Sequence, residues 1–244
     1  MEIKVEKVCK SFDKKPVIHD LTFTIDSGEI VCLLGPSGSG KTTTIRLLIG
    51  AIAADSGTIC FGDIIVPNIK LLNKIGFMPQ NDALYDDLSG EDNLKFFAGL
   101  YGIKKDKSEK RISEVLKLVE LTNDRKKYVR NYSGGMKKRL SLAAALIHEP
   151  DVLLLDEPTS GIDPVLRRTI WDQFKNLKNQ GTTIIVSTHV MDEVSECDKA
   201  ALIYNGILIH FDDIQQLFAK AENGKVEELF LKAAKEQEEG AAIC

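Results

Sequence analysis

The segment Gly35-Pro36-Ser37-Gly38-Ser39-Gly40-Lys41-Thr42 restricts what this chain can fold into more than any other stretch. It matches G-x-x-x-x-G-K-[ST] and lies between two patterns that give such a loop its context. Upstream, Ile30-Val31-Cys32-Leu33-Leu34 is a short apolar run that reads as a buried strand; downstream, between Thr43 and Ala53, Ile45, Leu48, Ile49 and Ile52 recur at helical spacing. A strand, a glycine-rich turn and a helix in that order wrap backbone N–H groups around an anion and add the positive end of the helix dipole. The predicted phosphate-binding residues are Gly35, Pro36, Ser37, Gly38, Ser39, Gly40, Lys41, Thr42 and Thr43. Lys41 would reach the β- and γ-phosphates of a nucleotide, and the Thr42 hydroxyl would hold Mg²⁺.

Composition bounds the rest. A chain of 244 residues is one large domain or two intimate lobes, and 43% apolar residues supply a core. A formal net charge of −4 gives no overall electrostatic reason to bind nucleic acid or an anionic membrane face, so partners have to be argued from local features. Cys9, Cys32, Cys60, Cys197 and Cys244 are scattered, without C-x-x-C spacing, and read as small reduced residues. There is no amino-terminal signal pattern, and no apolar run approaches the ~18–20 residues of a membrane span, so a soluble chain is expected.

Read in order, Ile3–Val8 and Leu21–Ile25 alternate as half-exposed strands around a turn at Asp13-Lys14-Lys15-Pro16. Thr58–Phe61 and Ile64–Val66 form a hairpin through Gly62-Asp63, and Ile75 to Gln80 contains a short strand ended by Pro79. From Asp82 to His148 strand signals give way to three helical patterns: one capped by Ser89 with Asp92 and running to Tyr101, one carrying Ile112, Val115, Leu116 and Val119, and one from Gly135 to Ile147. This block reads as an inserted helical lobe over residues 82–148, its lysine-rich stretches at 104–110 and 125–130 a solvated surface. The α/β pattern resumes with Val152–Leu155, a helix from Asp163 and Pro164 to Leu177, a strand over Thr182–Ser187 and a hairpin at Asn205-Gly206. The predicted fold is α/β, a P-loop NTPase (RecA-like) core over 1–81 and 149–211 with a small antiparallel β unit, the inserted lobe, and a peripheral helical tail over 212–244.

Asp156-Glu157 directly follows the apolar strand, and the carboxyl ends of strands are where open α/β sheets bind ligands. Asp156 suits Mg²⁺ through water, and Glu157 suits polarising the water that attacks a γ-phosphate. With both motifs in hand, the chain resembles the ATP-binding subunit of an ABC transporter over nearly its full length. Tyr132-Ser133-Gly134-Gly135-Met136 stands where that family has L-S-G-G-Q at the start of a helix, Gln80 where it has its glutamine loop, Asp163 its aspartate loop, His189 after Val186-Ser187-Thr188 its switch histidine, and Phe12 the aromatic that stacks on adenine.

The resemblance implies ATP and Mg²⁺ as cofactors, with Thr42, Gln80 and Asp156 toward the metal, and Glu157, His189 and Lys41 as the catalytic groups. It further implies ATP sandwiched in a head-to-tail homodimer or heterodimer whose second phosphate-binding surface is the Ser133-Gly134-Gly135 turn, a separate transmembrane partner, attachment to the cytoplasmic face of a membrane, and no nucleic acid. Phe77-Met78-Pro79-Gln80 and Leu94-Lys95-Phe96-Phe97 are similar to an exporter-type, ABC-2-like subgroup. Tyr132 and Met136 depart from the signature's terminal Leu and Gln. A soluble ABC-type ATPase acting on nucleic acid or ribosomes is the alternative; its usual coiled coil or second cassette is not found in this sequence. A small-molecule P-loop kinase would leave Ser133-Gly134-Gly135 unexplained. Between Gln80 and Tyr101, Leu84, Tyr85, Phe96, Phe97, Leu100 and Tyr101 are more large apolar residues than one short helix buries on a single face, so an exposed contact patch is expected.

Overall fold

The chain opens with two long strands, β1 (Ile3–Phe12) and β2 (Lys15–Ile25), paired antiparallel across a turn in which Asp13 and Lys14 both have positive φ. These strands outrun the alternation visible in the sequence. Register shifts after Val5, Val8 and Lys10 reverse the phase of inward and outward side chains, so the period of two breaks while the pairing continues. β3 (Ile30–Leu34), buried at every position, leads through the glycine loop into α1 (Lys41–Leu48), and β4 (Ser56–Phe61) with β5 (Ile64–Ile65) forms the hairpin read from the sequence. After a short helix, α2 (Ile69–Leu72), come β6 (Ile75–Met78), α3 (Gly90–Leu100), α4 (Lys105–Leu118), α5 (Gly134–Leu146), β7 (Val152–Asp156), α6 (Pro164–Asn179) and β8 (Thr183–Thr188). The chain ends in β9 (Lys199–Tyr204), β10 (Ile207–Asp213), α7 (Ile214–Lys220) and α8 (Glu227–Ala241). This computed structural model describes residues 1–221 and 225–241. Residues 222–224 and 242–244, with part of the charged terminal segment and Cys244, lie outside them.

The chain divides into two compact units, residues 1–68 with 185–244, and residues 69–184. In the first, the strand order is β5-β4-β1-β2-β10-β9-β3, with β3 parallel to β9, β10 parallel to β2, and the other pairs antiparallel. The terminal segment expected as a peripheral tail is packed into this unit: Ile214, Leu217, Val226, Leu229, Phe230 and Ala233 are buried. Its high charge hid a narrow apolar stripe, which needs only one residue in three or four.

In the second unit β6 and β7 run parallel, Ile75 opposite Val152 through Met78 opposite Leu155. The helices α3, α4 and α5 pack on one another. The helical block read at 82–148 thus sits within a unit that also holds β6, β7 and α6. Ser89 accepts from the Asp92 N–H at 3.1 Å and donates to its carboxylate at 2.6 Å, the capping expected for α3. Arg125 and Arg130 are paired with Glu91 (2.8 Å) and Asp87 (3.0 Å).

His148 is stacked on Tyr101 with centroids 3.6 Å apart, and its Nε2 lies 3.1 Å from the Ile75 carbonyl oxygen. Burial, helped by the Arg111 charge and opposed by that carbonyl, holds its pKa below the ordinary 6.5. The unfolded chain therefore takes up a proton that the folded chain resists, and folding stability falls as pH drops from about 6.5 toward the folded-state value. In thermal melts between pH 7.5 and 5.5, His148→Phe, which keeps the stack, is expected to lose less melting temperature on acidification than the wild type.

Candidate ATP-binding and hydrolysis site

The phosphate loop lies in the first unit. Gly35 follows β3 with no space for a side chain, because a Cβ there would overlap the Ile203 carbonyl oxygen and lie 2.6 Å from Ser39 Oγ. Gly38 and Gly40 take φ of +80° and +107°, which L side chains rarely adopt. Gly40 stands at the N-cap of α1 without a side-chain hydrogen bond, whereas α3, α5 and α6 are capped by Ser89, Ser133 and Asp163. An N-terminus built this way presents its N–H groups and dipole to an anion. Lys41 is buried, its ammonium donating to the Gly35 and Pro36 carbonyls at 2.7 and 2.9 Å. Ser39 Oγ is buried without a hydrogen-bond partner, and Pro36, Ser37 and Gly38 are exposed.

Beneath the loop lies a support that the sequence did not disclose. The Gly206 N–H donates to the Ser39 carbonyl at 2.9 Å, and the Gly206 carbonyl accepts from the His19 N–H at 2.9 Å. A Cβ on Gly206 would collide with the Val17 carbonyl. Asn205-Gly206, legible as a hairpin turn, thus also holds the phosphate loop. Phe12, at the tip of the β1–β2 hairpin, is 43% exposed, with Lys10 Nζ 5.5 Å from its ring centroid, an arrangement open to stacking on a planar ring. His189, just beyond β8, is exposed, and the Val190 N–H closes a turn around it onto Thr188 Oγ1 at 2.9 Å.

The carboxylates and the signature lie in the second unit. Asp156 ends β7 only 2% exposed, and Glu157 follows with φ +52°, a left-handed backbone that costs a non-glycine residue about 1–3 kcal/mol. That conformation is held: the Glu157 carbonyl accepts from the Ser160 N–H at 3.3 Å and from Lys138 Nζ at 3.1 Å. The same ammonium donates to the Gln80 carbonyl at 3.1 Å, and Gln80 Nε2 donates to Glu157 Oε2 at 3.3 Å. Gln80 and Glu157, singled out separately in the sequence, are therefore in direct contact. Lys138 had no local signal, since two backbone acceptors from distant segments define its role.

Ser133 caps α5, its Oγ accepting from the Met136 N–H at 3.3 Å, and its hydroxyl hydrogen can still donate to a phosphate oxygen. Gly134 and Gly135 have open space where a Cβ would stand. Tyr132 is turned inward: its phenol donates to the Asp124 carbonyl at 2.9 Å, fills the space that a side chain on Gly90 would need, and is pushed by burial to a pKa of about 12. Its side chain anchors the signature turn from the inside. Asp163 Oδ1 caps α6 through the Leu166 N–H at 3.0 Å, with Pro164 first in the helix, as the sequence indicated. Met136 is half-buried. Met136→Gln is expected to change ATP turnover by less than about tenfold, ~1.4 kcal/mol, in a phosphate-release assay, because the turn is fixed by Ser133 and Tyr132.

The model of the family described as ABC transporter matches residues 18–160. The chain belongs to the ABC transporter family. It is 40% identical over 210 residues to the linearmycin resistance ATP-binding protein LnrL of Bacillus subtilis (strain 168), covering 85% of this chain and 68% of that one. It is 36% identical over 223 residues to the probable multidrug ABC transporter ATP-binding protein YbhF of Escherichia coli (strain K12), covering 91% of this chain but only 39% of YbhF. A solved structure described as an ATP-binding subunit of an ABC transporter aligns with TM-score 0.86 and 25% identity over 95% of this chain and 99% of that one. That of cbiO1 from Clostridium perfringens, part of the ABC transporter complex cbiONQ, aligns with TM-score 0.80 and 28% identity over 89% and 90%. These likenesses bear out the α/β P-loop NTPase fold, and ATP-binding domains of this family are ATPases.

Proposed function

We propose that this ABC ATP-binding domain hydrolyses ATP to power transport through a separate transmembrane subunit, with two such domains closing head to tail on ATP at the cytoplasmic face of a membrane. The observation that carries the reading is the loop around Lys41, whose glycines and uncapped helix start leave the backbone to hold phosphate. Lys41 would balance charge on the β- and γ-phosphates, Glu157 would polarise the attacking water, and His189 would contact the γ-phosphate. Phe12 would stack on adenine, while Ser133, Gly134 and Gly135, with Asp163, would face the nucleotide of the opposite domain. The oxygen donors of Thr42, Gln80 and Asp156 suit a hard divalent cation, and Asp156 is a buried carboxylate of the kind that such an ion favours. Mg²⁺, when bound there, would neutralise charge on the phosphate oxygens.

Export is the direction supported by relatives named for it, such as the Nod factor export ATP-binding protein I of Paraburkholderia xenovorans (strain LB400), 39% identical over 207 residues. A soluble ATPase acting on nucleic acid or ribosomes is not favoured by relatives named as transporter components. Among the described residues no helix is long and apolar enough to cross a membrane.

The partner would seat on the aromatic patch of the second unit. Tyr85, Phe96 and Leu100 are exposed, Leu84, Phe97 and Tyr101 are half-buried, and the Tyr85 and Phe96 rings meet edge to face with centroids 4.7 Å apart. Asn93 clamps the Tyr85 backbone from both sides, its Oδ1 accepting from the Tyr85 N–H at 2.8 Å and its Nδ2 donating to the Tyr85 carbonyl at 3.0 Å. A rigidly held exposed aromatic is an anchor for a docking helix. Tyr85→Asp and Phe97→Asp are each expected to keep soluble ATPase within about twofold and to lose at least about tenfold in co-purification with membranes, the cost of a charge at an apolar contact. Retention of both in folded variants would remove the patch from the mechanism.

A further inference from the structure

The residues on either side of His189 are tied, within the same unit, to a residue that carries no motif. The Thr188 hydroxyl, buried at the end of β8, accepts from the Val190 N–H at 2.9 Å and donates to Glu193 Oε2 at 2.6 Å. Glu193 is only 2% exposed and lies on the short 3₁₀ helix Met191–Glu196. Its backbone is tied at both ends, its N–H donating to the Val190 carbonyl at 3.2 Å and its carbonyl accepting from the Cys197 thiol at 3.6 Å.

A buried carboxylate is costly unless it is paired and hydrogen-bonded, and an apolar residue would fill the same volume without that cost. What the carboxylate adds is direction. A hydroxyl bridging two neighbours has one rotor, and a short charge-assisted bond to Glu193 fixes it with a lone pair facing Val190. The turn Thr188-His189-Val190 is then closed around the histidine, and the backbone from which the imidazole projects is set.

We propose that Glu193 is a positioning residue for His189, acting through the Thr188 hydroxyl to hold the imidazole where it meets the γ-phosphate during hydrolysis. The inference rests on the reading of His189 given above. Without the carboxylate the hydroxyl turns and the loop loosens, and displacement of a catalytic group by about 1 Å can cost ~10²-fold in rate.

The test is steady-state phosphate release at saturating Mg-ATP, with nucleotide affinity measured separately by a fluorescent ATP analogue. Glu193→Ala is expected to lower kcat by about 10- to 100-fold with affinity within about twofold. Glu193→Gln, whose amide oxygen still accepts from Thr188, is expected to stay within about threefold of wild type. In a His189→Ala background, Glu193→Ala is expected to cost nothing further, since a positioning residue has nothing left to position. Where Glu193→Ala does not fold, Thr188→Val removes the same bridge in the same volume and is expected to give the same loss of kcat at unchanged affinity. Wild-type turnover in His189→Ala would overturn the reading of His189 itself. An inactive His189→Ala beside a fully active Glu193→Ala or Thr188→Val, or two losses that multiply, would overturn the inference and leave that reading standing.

Discussion

Alanine at position 41 is expected to lower ATP turnover by about 10²–10³-fold, the ~2.7–4 kcal/mol that one preorganised donor to a developing charge supplies. Lys41 is the only cationic side chain within the sequence of the loop Gly35–Thr42, and it is buried with its ammonium at the loop's own carbonyls, so the loop itself has no second cation to take its place. The backbone of the loop and the start of α1 are unchanged by the substitution, and part of the nucleotide affinity should survive through them. Phosphate release and nucleotide binding, measured side by side, separate these contributions. Turnover at the wild-type rate would remove the phosphate loop from the mechanism.

Glu157→Gln is expected to bind ATP and to hydrolyse it about 10²–10⁴-fold more slowly, the range associated with loss of a positioned general base. The amide keeps the shape of the carboxylate, and its oxygen can still accept from Gln80 Nε2, which lies 3.3 Å from Glu157 Oε2. Lys138 and the Ser160 N–H hold the main chain at residue 157 whatever its side chain, so the backbone should stay in place. Stalled before hydrolysis, the variant is expected to accumulate a dimer with Mg-ATP that light scattering detects and that ADP does not support. A monomer under those conditions at high protein concentration would weigh against the head-to-tail arrangement, and rapid turnover would take Glu157 out of the role of base.

Local features were readable in advance, and features shared between distant segments were not. The loop from Gly35 to Thr42 was legible because its chemistry is contiguous and its frame of strand and helix is written on either side. The caps Ser89 and Asp163 were legible for the same reason, since each bonds within its own first helical turn. Lys138 was invisible because its acceptors, Gln80 and Glu157, belong to other elements. Tyr132 was visible as a departure from the family's Leu, yet its reason lies in Asp124 and in the bare backbone of Gly90. Gly206 gave a turn but not the loop resting on it. The alternation of β1 faded where bulges changed its phase, and the charge of the last segment masked the stripe that buries Leu229, Phe230 and Ala233.

The ammonium of Lys41 has acceptors at 2.7 and 2.9 Å before any nucleotide is considered. Binding a phosphate through Lys41 would therefore swap one set of partners for another, and the affinity gained would be the difference between them rather than the full value of a bare cation meeting an anion. A grip moderated in this way lets go. For an ATPase that has to release ADP and phosphate on every cycle, a lysine already satisfied by its own loop would leave the nucleotide-free state without an uncompensated buried cation, and would temper the hold on product.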